Sequence, residues 1–506
     1  MRVFNSFRNS IFGGLQSFII LLLGFISRSI FINMLGMTYN GLNGLFTNIM
    51  SMLSIAELGI GSAIVFNLYP YLNKNDTDII KSIMRFYLIA YRFVAAFVGI
   101  FGILLIPFLG FFSDYKGIHD NVEMIFFLFV LNSVFSYLSA YKRSILYADQ
   151  KNYIINISDT ITKVIITVLQ IISLYLFKSF AIYLIISAIL TLTENIILQK
   201  IADRQYPYLR DKNIKRLSPT IRKNLFKQIY GMLYHKIGTF VVLGTDSMII
   251  TRFLGLNTMG LYANYIMVSN AISSILVQSI NGIIASVGNL LTENNPKDLF
   301  NVYKKISFLC FWIFTVASIA IYIVMVPFVK IWIGEKGLLA NTVLLIIVLN
   351  FYVTGMRQPI QVFQNASGIF YENRHVPLLE SALNLGASLI FVHFFGLEGV
   401  LMGTLLSTML LYGYSFPKYV YHPIFRRKTT LYVKEQLFYI MIFLFVFGIS
   451  FLVGSLVNYI NQLWLSFILS ILISLIVPNV ILLFLFRKNE NFIYYSNLIK
   501  NNILRK

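Results

Sequence analysis

Cysteine and charge are what this sequence has least of. Cys310 is its single cysteine and sits within an apolar run, which excludes disulfides and cysteine-built metal sites. Charged residues make up 12% of the 506 positions, about half the share of a soluble domain. A large soluble enzyme is excluded on that balance. No H-E-x-x-H pair and no glycine-rich phosphate loop occurs, so the usual zinc-hydrolase and nucleotide-binding chemistries have no seat. Acids are scarcer than bases, 20 against 41, leaving a net charge of +21. The bases lie in connections between apolar runs, a pattern of topology signals and anionic-lipid contact rather than of a nucleic-acid face.

Apolar residues make up 58% of the chain, and the mean hydropathy is +0.75. Apolar runs long enough to span a bilayer fill most of the length. They predict an all-α polytopic membrane protein with about 14 helices, at 11–35, 41–70, 82–109, 122–146, 153–177, 180–199, 230–254, 259–290, 304–331, 339–366, 376–395, 397–420, 437–458 and 463–486. The first run, about 24 residues, is too long for the h-region of a cleavable signal and reads as helix one. With the N-terminus inside, the cytoplasmic ends and loops collect 30 Lys and Arg and the outer ones five. That asymmetry places both termini in the cytoplasm. The abundance of Ile, Asn, Lys, Phe and Tyr fits an AT-rich bacterial genome, hence a bacterial plasma membrane.

The chain repeats. Gly36-x4-Gly41-Leu42 returns as Gly255-x4-Gly260-Leu261, 219 residues later. Asn73-Lys74-Asn75-Asp76 corresponds to Thr292-Glu293-Asn294-Asn295, and Ile106-Pro107-Phe108 to Val326-Pro327-Phe328. Six helices per half is an even number, so the halves are parallel, as in alternating-access carriers. The organisation expected is an N-lobe over 1–200, a basic linker over 201–229, a C-lobe over 230–422, two extra helices within 437–486 and a basic tail over 487–506. Ser218-Pro219 opens an amphipathic segment with Ile221, Leu225, Phe226 and Ile229 at helical spacing, expected to lie on the inner leaflet before helix seven. Val3, Phe4, Phe7 and Arg8 form its counterpart at the N-terminus.

The residues that carry a family resemblance are Leu35-Gly36 through Gly41-Leu42-Asn43-Gly44-Leu45-Phe46, and Ser54-Ile55-Ala56-Glu57-Leu58-Gly59-Ile60-Gly61-Ser62-Ala63. Leu254-Gly255 and Met259-Gly260-Leu261-Tyr262-Ala263 add to them. Over helices 1–12 the chain resembles the oligosaccharide flippases of the multidrug/oligosaccharidyl-lipid/polysaccharide exporter superfamily, most of all their Gram-positive branch. The resemblance implies two six-helix lobes in a V, with helices 1, 2, 7 and 8 facing a central cavity. It also implies translocation of undecaprenyl-diphosphate-linked oligosaccharide, coupled to an H+ or Na+ gradient, with no other cofactor.

Nine ionisable residues lie well inside the expected spans, away from their ends: Arg28, Glu57, Arg92, Asp159, Lys163, Glu194, Lys236, Asp246 and Arg357. Each costs about 2.5–3.5 kcal/mol at a lipid-facing helix centre, so each should face water or a partner. Arg28 and Asp246 lie at one depth in repeat-related helices, as a gate or diphosphate contact, or as a permanent ion pair. Arg92 and Arg357 lack an acid one turn away, and a guanidinium fork suits a diphosphate. Lys236 is a cavity candidate that can also snorkel, and His235 beside it a possible proton carrier. Asp159 and Lys163, four apart, are expected to neutralise each other. Glu57 is the candidate for ion coupling, or a structural hydrogen-bond acceptor. Asn270, Ser273, Ser274, Gln278 and Asn281 recur every three or four residues, as a cavity lining that passes sugars or as polar helix packing.

These features favour a carrier that flips a polyprenyl-diphosphate oligosaccharide to the outer leaflet for capsule, exopolysaccharide or teichoic-acid-like polymer, alongside other polysaccharide-assembly membrane proteins. A lipid II flippase or a cation-coupled multidrug exporter of the same superfamily is the alternative. A membrane enzyme is disfavoured, because the largest outer loop, 110–121, is short and has no paired-acid metal motif.

Overall fold

A computed structural model describes residues 2–57, 60–115, 118–211, 214–215, 217–293, 295–369 and 372–504; the side chains of 2–11 and 227–243 are among those outside it. Every regular element among the described residues is helical. The chain divides into two compact units, Met1–Gly260 and Leu261–Lys506.

The first unit holds α1 (Arg2–Leu35), α2 (Met37–Leu53), a 3-10 turn (Ser54–Glu57), α3 (Ile60–Lys74), α4 (Thr77–Leu105), α5 (Val122–Ala148), α6 (Asn152–Phe177), α7 (Phe180–Gln205) and the first part of α8 (Pro219–Asn281). Its core is aromatic. Phe31 meets Phe180 and Tyr183 edge-on, each at 5.2 Å between centroids, and Phe46 meets Phe126 at 4.9 Å. The second unit continues α8 and adds α9 (Ile284–Thr292), α10 (Pro296–Trp332), α11 (Asn341–Met356), α12 (Gln358–Ser367), α13 (Val376–Phe416), α14 (His422–Phe425), α15 (Thr429–Ser455), α16 (Leu463–Phe486) and α17 (Glu490–Leu504). The two helices outside the repeat, α15 and α16, are bound to its body. Phe311 of α10 stacks on Tyr439 at 4.5 Å, Tyr352 of α11 on Phe443 at 3.9 Å, and Trp312 donates its indole N–H to Asn479 at 2.7 Å.

Among the described residues ten helices are long and apolar enough to cross a membrane, or eleven with the bent pair Val122–Leu138 and Ala140–Ala148 taken as one span. Two of them, Gly244–Thr292 and Val376–Phe425, run 49 and 50 residues. Each contains a glycine with non-helical backbone angles, Gly255 or Gly396, that splits it in two. This is a multi-pass membrane protein.

The repeated sequence features have matching structural roles. Gly36 (φ 94°, ψ 170°) separates α1 from α2, and Gly255 (φ 84°, ψ 168°) interrupts α8 with nearly the same angles. Side-chain-bearing residues are strained there, so glycine is required. Asp76 caps α4 by accepting from Ile79 N–H at 3.1 Å, and Asn295, 219 positions on, caps α10 by accepting from Lys297 N–H at 3.1 Å. These caps satisfy amides that have no partner within the first turn.

The segment after Ser218 departs from expectation. Ser218 does cap it, with Ile221 N–H 3.4 Å from its hydroxyl, but the helix runs on without a break to Gly255. Its apolar face meets protein: Leu225 is fully buried and Phe226 lies edge-on to Phe86 of α4 at 5.5 Å. Protein takes up Leu225, whereas Phe226 keeps 52% of its surface exposed. The linker before it is clipped to α4 as well. Lys81 pairs with Asp211 at 3.0 Å, and Lys215 with Asp78 at 2.8 Å.

Candidate functional site

Within the first unit, α2 and α8 cross at the repeated glycines. A Cβ on Gly41 would overlap the carbonyl of Leu256 and stand 3.0 Å from the Gly260 nitrogen. Reciprocally, a Cβ on Gly260 would overlap the carbonyl of Met37 and stand 3.0 Å from the Gly41 nitrogen. The two contacts are near mirror descriptions of each other, as a two-fold relation between repeats requires. Each glycine pair thus has two jobs: Gly36 and Gly255 set the chain direction, and Gly41 and Gly260 let the backbones touch.

Polar side chains fasten this crossing. The fully buried Asn40 donates to the Gly260 carbonyl at 2.8 Å, and its side-chain oxygen accepts from the Arg28 guanidinium. Arg28 therefore acts through Asn40 on α8, a partner that i±3 and i±4 counting along α1 does not reveal. Two turns further along α2, Asn48 donates to Ser247 at 2.5 Å, and Gly244 faces Met52. Asp246, beside Ser247, is buried. The side chain of Lys236, like that of His235, lies outside the described residues.

Glu57 closes the 3-10 turn after α2, where the helix unwinds. Tyr91 of α4 donates to its carboxylate at 3.0 Å, and Tyr137 of α5 donates to Ser54 at 2.7 Å. Tyr87 donates to the Gly61 carbonyl at 2.6 Å. Three buried tyrosine hydroxyls thus find their acceptors around the helix break. Leu58 and Gly59 lie outside the described residues.

The expected Asp159–Lys163 pair is not formed. Asp159 pairs with Arg143 of α5 at 2.9 Å, and Arg143 also reaches Glu194 of α7 at 3.2 Å. One guanidinium holds two carboxylates from two helices, and Gln16 of α1 approaches Asp159 at 3.4 Å. Arg143, read from sequence as part of an inner end, outcompetes the local lysine because its fork serves both acids. Arg92 faces outward from α4 in a cavity walled by α5 and the linker.

In the second unit, Arg357 occupies the junction of α11 and α12, where Pro359 follows. Its guanidinium lies 3.4 Å above the ring centre of Tyr412, with Nη1 4.0 Å from Glu380. Glu380 accepts from Tyr412 at 3.0 Å and from Thr408 at 3.2 Å. The Arg357 Nε is buried without a hydrogen-bond partner among the described residues. A cavity of about 180 Å³ opens beside it, lined by Tyr352, Met356, Tyr412, Tyr432 and Gln436 among others. Glu380 was missed in the sequence because no cation stands one turn from it on α13. On the second half of α8, Asn270, Ser274, Gln278 and Asn281 are all exposed, and Ser273 is half-buried. They form one polar stripe along a helix of spanning hydropathy.

The family described as polysaccharide biosynthesis protein matches residues 6–284, more than half of the chain and all of the first unit's site. This chain belongs to that family. Among curated proteins none matches it. Its fold is that of lipid II flippase MurJ in an inward closed conformation, with a TM-score of 0.64 over 94% of this chain and 99% of that one at 16% identity. An inward-facing multidrug resistance MATE family transporter of the MOP superfamily matches at a TM-score of 0.58, 15% identity, over 78% of this chain and 92% of that one. The Vibrio cholerae MATE transporter VcmN in the bent form gives 0.52 and 15%, over 80% and 95%. The protein is thus a multi-pass member of the polysaccharide biosynthesis family, and its fold is one that these transporters share.

Proposed function

We propose that this protein flips a polyprenyl-diphosphate-linked oligosaccharide from the inner to the outer leaflet of a bacterial plasma membrane, for export of a cell-surface polysaccharide. The observation that carries this reading is the exposed stripe of Asn270, Ser274, Gln278 and Asn281. Four polar side chains facing hydrocarbon would be costly, whereas the same row along a wet passage offers amides and a hydroxyl to sugar hydroxyls. Arg357, with an unmatched Nε, and Arg28 are the diphosphate contacts, and Lys236 lies on the same route. Glu57 and Asp246 are the groups through which an H+ or Na+ gradient acts. Membership of the polysaccharide biosynthesis family supports the substrate class, and the fold shared with a lipid II flippase supports a lipid-linked one. Both termini are cytoplasmic in this reading, by the charge asymmetry of the loops.

The test is to deplete the protein and quantify undecaprenyl-linked oligosaccharides by mass spectrometry, with Asn270→Leu/Gln278→Leu and Arg357→Ala as complements. Accumulation of a complete lipid-linked repeat unit with loss of surface polymer is expected, and neither complement should restore export. An unchanged lipid-linked pool with altered tolerance to cationic drugs would replace this reading with the multidrug exporter.

A further inference from the structure

A cavity of about 320 Å³ lies between α4, α5 and the linker, with none of the glycine-crossing residues in its wall. Its wall holds four cations, Lys81, Arg85, Arg92 and Lys142, and one acid, Asp211. Two of the cations are matched: Lys81 is 3.0 Å from both Asp78 and Asp211, and Lys142 is 2.6 Å from Asp203. Arg85 and Arg92 enter no ion pair among the described residues. They stand seven residues apart on one face of α4, about 10 Å along its axis. Side chains on a helix lean toward its N-terminus, so Arg92 reaches back toward Arg85 and the linker.

The same face is apolar around them. Ile89 and Phe93 are 58% and 70% exposed, which in a spanning helix is exposure to lipid. The span Thr77–Phe111 is 35 residues, about 50 Å long against a hydrocarbon core of about 30 Å. Its first turns therefore project from the core. Arg85 falls at the interface, and Arg92 lies within snorkelling reach of it. Two unmatched guanidiniums on one helix face, the deeper one leaning toward the other, beside an exposed apolar strip, match an anion that carries its own hydrocarbon. Basic pockets between spanning helices recognise phosphate headgroups on these terms.

We propose that this pocket binds an anionic phospholipid, its phosphate between Arg85 and Arg92 and an acyl chain along Ile89 and Phe93. Asp211, which also holds Lys81, brings the linker to the rim, so the lipid sits where the linker of the first unit is clipped to α4. The site rests on α4, α5 and the linker alone and stands whether or not the transported substrate is an oligosaccharide.

The experiment places a reporter in the pocket, Ile89→Trp, in the full chain reconstituted in nanodiscs. The unsubstituted protein serves to subtract its three tryptophans. Quenching is compared between brominated phosphatidylglycerol and brominated phosphatidylcholine. A preference for the anionic lipid of about fivefold per arginine is expected. It should fall to near one in Arg85→Gln/Arg92→Gln and persist in Arg85→Lys/Arg92→Lys, which controls for folding. Equal quenching by both lipids, or a preference unchanged in the glutamine variant, would overturn the site. Loss of the preference in millimolar inorganic phosphate would overturn the lipid assignment in favour of a free anion. Displacement by undecaprenyl diphosphate at lower concentration would uphold a lipid-phosphate site and overturn the phospholipid as its occupant.

Discussion

A methyl group on Gly41 should drive α2 away from α8. In an open helical position, Gly→Ala is worth about 1 kcal/mol in favour of the helix. At Gly41 the new Cβ meets the Leu256 carbonyl and lies 3.0 Å from the Gly260 nitrogen. Both are backbone atoms of a helix, so no rotamer change relieves the overlap and the helices themselves must part. Overpacking of this kind costs about 1–3 kcal/mol, and separation also stretches the 2.8 Å bond from Asn40 to Gly260 and the 2.5 Å bond from Asn48 to Ser247. The crossed state should lose about 1–3 kcal/mol relative to a parted one, a shift of about 5–150-fold in their ratio. Because Cys310 is the sole cysteine, Cys310→Ala gives a clean background for an Asn48→Cys/Ser247→Cys pair. Its oxidation rate reports how often the helices meet. Gly41→Ala should slow the crosslink by at least about fivefold, and Gly260→Ala should do the same through the Met37 carbonyl. Gly386, within α13, has open space where its Cβ would go, so Gly386→Ala should leave the crosslink alone and stabilise the protein by up to about 1 kcal/mol. If Gly41→Ala behaved like Gly386→Ala, the close crossing would be wrong.

Other perturbations have separate readouts. Arg143→Ala would strand Asp159 and Glu194 without their shared cation; a loss of about 3 kcal/mol is expected in thermal or denaturant unfolding. Lys163→Ala should stay within about 0.5 kcal/mol, and the opposite ranking would restore the local pair. Glu57→Gln keeps an acceptor for Tyr91, whereas Glu57→Ala leaves that hydroxyl buried and unmatched at a cost of about 1–3 kcal/mol. Comparing the two melting temperatures separates hydrogen bonding from charge. The linker clip is built from an exposed ion pair, Lys215 with Asp78, and a half-buried one, Lys81 with Asp211, so 1 M salt should screen the first and loosen the clip. Trypsin cleavage after Arg210 should then accelerate, and a rate indifferent to salt would remove electrostatics as the clip. Asp78 holds the Lys215 ammonium above the ordinary lysine pKa, so this contact is complete at neutral pH and is lost as pH rises through that raised value or falls far enough to protonate Asp78.

The glycine repeat illustrates how much of this site was legible in sequence. Equal spacing in Gly36-x4-Gly41 and Gly255-x4-Gly260 marks equivalent positions, because repeats preserve backbone geometry. Spacing does not say that Gly41 and Gly260 touch each other, since that contact joins residues more than 200 apart. Asn40 went unnoticed for the same reason: its partners, Arg28 and the Gly260 carbonyl, come from two other helices. The partner of Asp159 was misjudged because i,i+4 spacing reports only neighbours on one helix, and Arg143 arrives from another. Arg85 escaped notice beside Arg92, and its meaning depends on the wall that α5 and the linker supply.

The sequence by itself determined the membrane, the helical class and the repeat. Each of these follows from local hydropathy and period, which a bilayer enforces segment by segment because an unpaired backbone amide cannot be left in hydrocarbon. Tertiary structure alone decided which charges meet, which helix receives Leu225 and Phe226, and where two arginines stand unmatched. In a bundle of apolar helices hydrophobicity ceases to discriminate among partners, because lipid and leucine are alike. Close backbone contact and a few buried hydrogen bonds then choose the arrangement, and they act between residues that the chain holds far apart.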